Sequence, residues 1–95
     1  MTKEALKAQC LEYIDARKEE IIAIGQEIFA HPELGFKETH TAAVVRRTLD
    51  DLHIPCREGL AITGVRGDLQ GRCNGPRIMV MGELDAVVCP LHPQA

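Results

Sequence analysis

Two carboxylates, Glu83 and Asp85, stand two residues apart in Gly82-Glu83-Leu84-Asp85-Ala86-Val87. In extended backbone that spacing sends both side chains to one face. Acids so placed at the exit of a buried strand hold a hard cation or orient a histidine that ligates one. The alternative is that both cap the following turn and face water. A little further on, Cys89-Pro90-Leu91-His92 sets a thiol and an imidazole three apart. A tetrahedral zinc site takes four ligands, and no other pair accompanies these two. Either Glu83, Asp85, Cys89 and His92 form a one-site metal centre, or the last two belong to a surface loop with a partly buried thiol.

Other chemistries fall away on residue type and spacing. His31-Pro32-Glu33 followed by Pro55-Cys56 matches part of the His-x-Glu and Pro-Cys-x-x-Cys pattern of zinc deaminases, but position 59 is Gly59, so a required ligand is missing. The chain contains no serine, which removes Ser-His-Asp chemistry. Gly64, Gly67 and Gly71 fit no nucleotide-cradling fingerprint. His40 and His53 lie on or beside a helical stretch, where lone histidines face solvent or pair with a carboxylate, and carry no assigned role.

Elements must bring these residues to their places. From Thr2, a candidate N-cap, apolar residues recur at Leu6, Cys10, Tyr13, Ile14, Ile21, Ile24 and Ile28, the spacing of one helix face. The stripe Ile21, Ile24, Ile28 is read as core. Pro32 disfavours helix at His31, so the helix should end near Ala30, with a loop through Phe36. A second helix is expected over Thr39 to Leu52, with Ala42, Val45, Leu49 and Leu52 inward. Then the period changes. Ile62, Gly64-Val65 and Asp68-Leu69 read as strand, Gln70 to Gly75 as a hairpin loop, and Ile78-Met79-Val80-Met81 as a further strand. The run Arg77 to Met81 is apolar past its arginine, as in a central strand covered on both faces. Two helices followed by two or three strands make an α/β chain, the incomplete start of a helix-flanked mixed sheet.

Composition bounds the rest. Ninety-five residues, 45% hydrophobic and 26% charged, suit a globular chain with a packed core. A chain this short has a thin stability margin. A net charge of -3 with scattered basic residues, and only Tyr13, Phe29 and Phe36 as aromatics, argue against nucleic acid as a partner. No apolar run has the length of a signal peptide core or of a membrane span, so the expected location is cytoplasmic and no membrane partner is expected. Cys10, Cys56, Cys73 and Cys89 are then expected as free thiols.

Taken in order, His31-Pro32-Glu33-Leu34-Gly35-Phe36-Lys37-Glu38, Thr41-Ala42-Ala43, Thr63-Gly64-Val65 and Gly82-Glu83-Leu84-Asp85-Ala86 are spaced like the N-terminal third of a known group. The chain resembles the aminoacylase, carboxypeptidase G and indole-acetyl-amino-acid hydrolase family of metallopeptidases from about residue 20 onward. The resemblance implies that residues 1-95 are the N-terminal, incomplete part of a zinc-peptidase-like catalytic domain. It also implies two divalent metal ions in the parent enzyme, zinc or manganese or cobalt, with none bound to the fragment. Metal ions in such enzymes polarise the scissile carbonyl and lower the pKa of a bound water to ~7.

Asp85 matches the acidic place that supports the two-metal centre and is the expected catalytic residue. Glu83 stands where many members carry a metal-binding histidine, which puts direct ligation there in doubt. The auxin-conjugate branch also has an acid at that place. The further ligands, a Cys-Gly-His stretch, a general-base glutamate and distant histidines, are expected beyond Ala95. The implied reaction is hydrolysis of the amide bond of an N-acyl amino acid or small peptide-like substrate, with the fragment alone inactive and prone to self-association. The alternative is a standalone small α/β module that binds a partner through an exposed sheet edge and has no catalytic activity.

Overall fold

The structure is a computed structural model and describes residues 1-93. Helices α1 (Lys3–Ala16), α2 (Lys18–Ala30) and α3 (Thr39–Asp51) precede strands β1 (Cys56–Leu60) and β2 (Gly64–Gly67). The chain divides into two compact units, Met1–Ala30 and His31–Ala95.

In the first unit Thr2 caps α1 as expected, its Oγ1 accepting from the Ala5 amide at 3.1 Å. The single expected helix is two. At Arg17 the backbone leaves helical geometry (φ -109, ψ 14), and its amide donates to the carbonyls of both Tyr13 and Ile14. The helix resumes at Lys18 and ends at Ala30, ahead of Pro32. Neither α1 nor α2 contains a buried residue. Ile21 is 51% exposed, and Ile24 and Ile28 are half-buried, so the stripe read as core is not one. Helical spacing specifies a face, but only a covering surface turns that face into a core.

The second unit is built on α3. Its extent matches expectation, but its inward face is rotated. Val44 and Thr41 are buried, Val45, Thr48 and Leu49 are half-buried, and Leu52 is 48% exposed. The face is selected by the hairpin, because α3 packs on both β1 and β2. At Gly67 a Cβ would stand 3.0 Å from Leu49 Cδ2 and 3.3 Å from Ile54 Cγ2, so glycine there permits the close approach. The Arg46 guanidinium also reaches Glu58 on β1 at 3.3 Å, an exposed pair that contributes little to stability.

The strands pair antiparallel, Cys56 with Gly67, Arg57 with Arg66 and Leu60 with Gly64, with a bulge between Arg57 and Leu60. The hairpin therefore lies upstream of the Gln70 to Gly75 loop expected to carry it. Its turn runs through Ala61 (φ 47) and Ile62 (φ 80), left-handed positions that neither residue type favours and that sequence reading does not suggest. Strand β1, Cys-Arg-Glu-Gly-Leu, carries no alternating apolar pattern and was not expected. Asp68 and Leu69 lie past β2, although the Asp68 amide still donates to the Pro55 carbonyl at 3.0 Å.

The largest departure concerns Ile78 to Met81. Among the described residues this run joins no ladder, and its four side chains are 83%, 75%, 93% and 83% exposed in order. Residues of β2 and residues 77-82 line an open groove of about 340 Å³. A continuous apolar run becomes a central strand only when strands flank it on both sides, and among the described residues none does. The α/β composition holds, with three helices and a two-stranded antiparallel sheet.

Candidate functional site

The site is organised by a carboxylate to which the sequence reading gave no role. Helix α3 begins after Glu38, which as N-cap makes no side-chain capping bond. Its exposed amides are taken instead by Glu33, from the loop before it. Glu33 Oε1 accepts from the Thr41 amide at 2.7 Å and the Thr41 hydroxyl at 2.9 Å. Glu33 Oε2 accepts from the His40 amide at 3.0 Å and the Thr39 hydroxyl at 3.3 Å. An anion at a helix N-terminus meets both unpaired donors and the positive end of the dipole. The backbone bonds from His40 and then Thr41 hold this carboxyl at about 2, below its ordinary 4.5. His31 and His40 stack beside it, ring centroids 4.3 Å apart.

Glu38 turns elsewhere. It is buried, 7% exposed, with Oε1 accepting from the Lys37 amide at 2.8 Å and Oε2 from the Thr63 hydroxyl at 3.1 Å. The bond to Thr63 ties the loop to the hairpin turn. Beside it, Gly64 has its Cα so close to β1 that a Cβ would fall 2.5 Å from the Leu60 carbonyl oxygen.

The segment carrying Glu83 and Asp85 reaches the same loop. The Ala86 amide donates to the Glu33 carbonyl at 2.7 Å. Around that bond burial alternates: Leu84 and Ala86 are half-buried, whereas Glu83 and Asp85 are exposed. Both carboxylates are thus exposed on either side of the half-buried Leu84. Glu33 alone joins three of the four sequence segments, through Thr41 and through Ala86, and Glu38 adds the fourth through Thr63.

Other candidates are not brought in. The turn at Cys89 is closed by the His92 amide donating to the Cys89 carbonyl at 3.1 Å, and Cys89 is exposed. Among the described residues no three His, Cys, Asp or Glu side chains converge on a point. The one-site centre of Glu83, Asp85, Cys89 and His92 is therefore not assembled. The residues present do not by themselves fit the two-metal centre that the resemblance implies. All four cysteines are free. Cys56 lies on β1 with its Sγ 3.7 Å from Asp50 Oδ1, which leaves it outside any His-x-Glu arrangement. No described helix is long and apolar enough to cross a membrane.

Sequence reasoning missed Glu33 and Glu38 because capping rules look within a turn of the helix start. The available signal was a Glu in a proline-fixed loop ahead of the hydroxyl pair Thr39 and Thr41.

The chain is similar to known proteins over most of its length. The chain is 32% identical to an N-acetylcysteine deacetylase of Bacillus subtilis over 78% of its length. It is 34% identical to thermostable carboxypeptidase 1 of Saccharolobus solfataricus over 70%, and 30% identical to an IAA-amino acid hydrolase of Arabidopsis thaliana over 70%. These matches cover 19%, 17% and 15% of the respective relatives. No family model and no solved structure matches. The chain belongs to the aminoacylase, carboxypeptidase and IAA-amino-acid hydrolase family of amidohydrolases. It spans about a fifth of the length of the curated relatives it matches.

Proposed function

We propose that residues 1-95 supply the N-terminal part of the catalytic domain of a cytoplasmic, metal-dependent amide hydrolase acting on N-acyl amino acids or small peptide-like substrates. The observation that carries this reading is the exposed pair Glu83 and Asp85 on a segment fastened to the family's loop by the 2.7 Å bond from Ala86 to Glu33. Deacetylase, carboxypeptidase and amino-acid conjugate hydrolase relatives share cleavage of small amide substrates by their names, which supports the substrate class. Asp85 is the residue assigned to support the metal site of the longer enzyme, which takes two divalent ions such as zinc, manganese or cobalt. Glu83 has the lesser part, and the ligands themselves lie on chain beyond Ala95. On this reading the 95-residue chain alone is inactive, because the ligands it needs lie on chain beyond Ala95.

Two measurements test this. A reading frame continuing past Ala95 into a Cys-Gly-His stretch is expected, and a stop codon there removes the enzyme reading. In the longer protein, Asp85→Asn lowers metal content or turnover by about 10-fold or more, the scale of losing a group that supports a ligand, while Glu83→Gln does less. Asp85 is exposed, so the stability stays within about 0.5 kcal/mol of the parent's. A fully active, fully metallated Asp85→Asn enzyme makes Asp85 a turn cap.

A second reading has one observation in its favour. The exposed run Ile78 to Met81 suits a standalone module that binds a partner, or another copy of itself, by adding a strand. The reading frame beyond Ala95 separates the two, because only the module ends there.

A further inference from the structure

We propose that Glu33 is the positioning residue of this site: its carboxylate anchors the N-terminus of α3 while its own carbonyl holds Ala86, so that it sets where Asp85 stands. The inference deepens the functional reading above and rests on it for the importance of Asp85, but the contact it describes stands on its own.

Glu33 is held at both ends. Its side chain accepts four hydrogen bonds from Thr39, His40 and Thr41, with both carboxylate oxygens engaged. Bonds to a charged acceptor are the shorter and stronger kind. A side chain engaged at four points fixes its χ angles, and the backbone that carries it loses most of its freedom. Pro32 limits the preceding dihedral, and the Lys37 amide closes the following turn on the Leu34 carbonyl at 2.9 Å. The direction of the Glu33 carbonyl is thereby determined from both sides.

That carbonyl takes the Ala86 amide. Among the described residues no ladder bond holds residues 82-86, since this stretch belongs to no strand. Of the backbone bonds from this segment to α3, its preceding loop or the hairpin, the one to Glu33 is the bond the structure shows. Asp85 is the residue immediately before Ala86. A shift of the Glu33 carbonyl therefore moves Asp85 with little resistance from anything else, and α3 supplies the rigid element against which the segment is located. Positions held on helices are more precise than positions on loops.

The test is amide hydrogen exchange, read residue by residue by NMR on the 95-residue chain. Glu33→Ala is expected to speed exchange at His40 and Thr41, where the capping bonds are lost. It is also expected to speed exchange at Ala86 by about 10-fold, the size of one net hydrogen bond removed from the closed state, and to shift the Asp85 resonances. Glu33→Gln, which keeps an acceptor oxygen, restores part of the Ala86 protection. Faster exchange at His40 and Thr41 with an unchanged Ala86 makes Glu33 a helix cap and nothing more, which overturns the proposal.

Should Glu33→Ala collapse the hairpin resonances as well, Thr41→Val decides. It removes only the 2.9 Å hydroxyl bond, and Ala86 must then exchange several-fold faster than in the parent; an unchanged rate overturns the proposal. None of these readouts involves turnover. A catalytically silent Asp85→Asn enzyme would sink the functional reading and leave them standing, and an unchanged Ala86 rate would do the reverse.

Discussion

Residues 3-30 and residues 31-86 reach order by different means. In α1 and α2 the local signals are all present: a threonine cap, a three-and-four apolar spacing and a proline just past the end. Yet no residue of either helix is buried. In the second stretch the local signals are poorer. Helix α3 has no cap of its own, β1 has no apolar alternation, and the hairpin turn puts Ala61 and Ile62 at positive φ. There Val44 and Thr41 are buried, and bonds spanning many residues join Glu33 to Thr41, Glu38 to Thr63 and Glu33 to Ala86. Periodicity can make a helix, but in this chain it is side chains reaching distant backbone that make a packed unit. Isolated helices of this length are marginal in water.

The comparison breaks most visibly at Val44. Val44→Asp puts an unpaired charge at the one buried hydrophobic residue of the described chain and should cost more than about 3 kcal/mol. The expected result is collapse of the hairpin and α3 resonances with those of α1 unchanged. Loss of α1 together with α3 would show that the two stretches are one cooperative body after all.

The next effect is one of pH. A carboxyl lowered to about 2 from 4.5 stabilises the folded state fully above 4.5. That stabilisation falls away as the pH drops through the window from 4.5 towards 2, because the unfolded chain takes up the proton first. Melting followed by NMR at α3 should therefore lose stability over this window in the parent, and lose less of it in Glu33→Gln, which has no charge there to titrate. Equal pH slopes in the two would mean that Glu33 contributes nothing through its charge. Helix α1, whose cap is an uncharged threonine, should show no such difference between them.

The smallest effect sharpens the other side. Thr2→Ala removes the bond to the Ala5 amide and should cost about 1 kcal/mol of helix stability, confined to the first turns of α1. Amide exchange there should quicken while the rates at His40, Thr41 and Ala86 stay as they were. A change at Ala86 would show that the effect of the Thr2 cap is not confined to α1.

Much of this is legible in the sequence alone. The Thr2 cap, the end at Ala30, the extent of α3, the presence of strand at Gly64 and Val65 and the shared exposure of Glu83 and Asp85 follow from contacts within a few residues or from the two-residue period of extended chain. The four segments that carry the family resemblance are likewise a matter of residue type and order along the chain. What the tertiary structure decided is of another kind. It selected the face of α3 that is covered, placed the hairpin at Ala61 and Ile62 instead of Gln70 to Gly75, and left Ile78 to Met81 outside any ladder among the described residues. It also made Glu33 the cap of a helix that starts well after it. Each of these depends on a partner distant along the chain, and a sequence records which groups need partners without recording which of several distant ones will arrive. A carboxylate such as Glu33 reads as one more solvated charge until the amides of His40 and Thr41 and the backbone of Ala86 are seen to close around it.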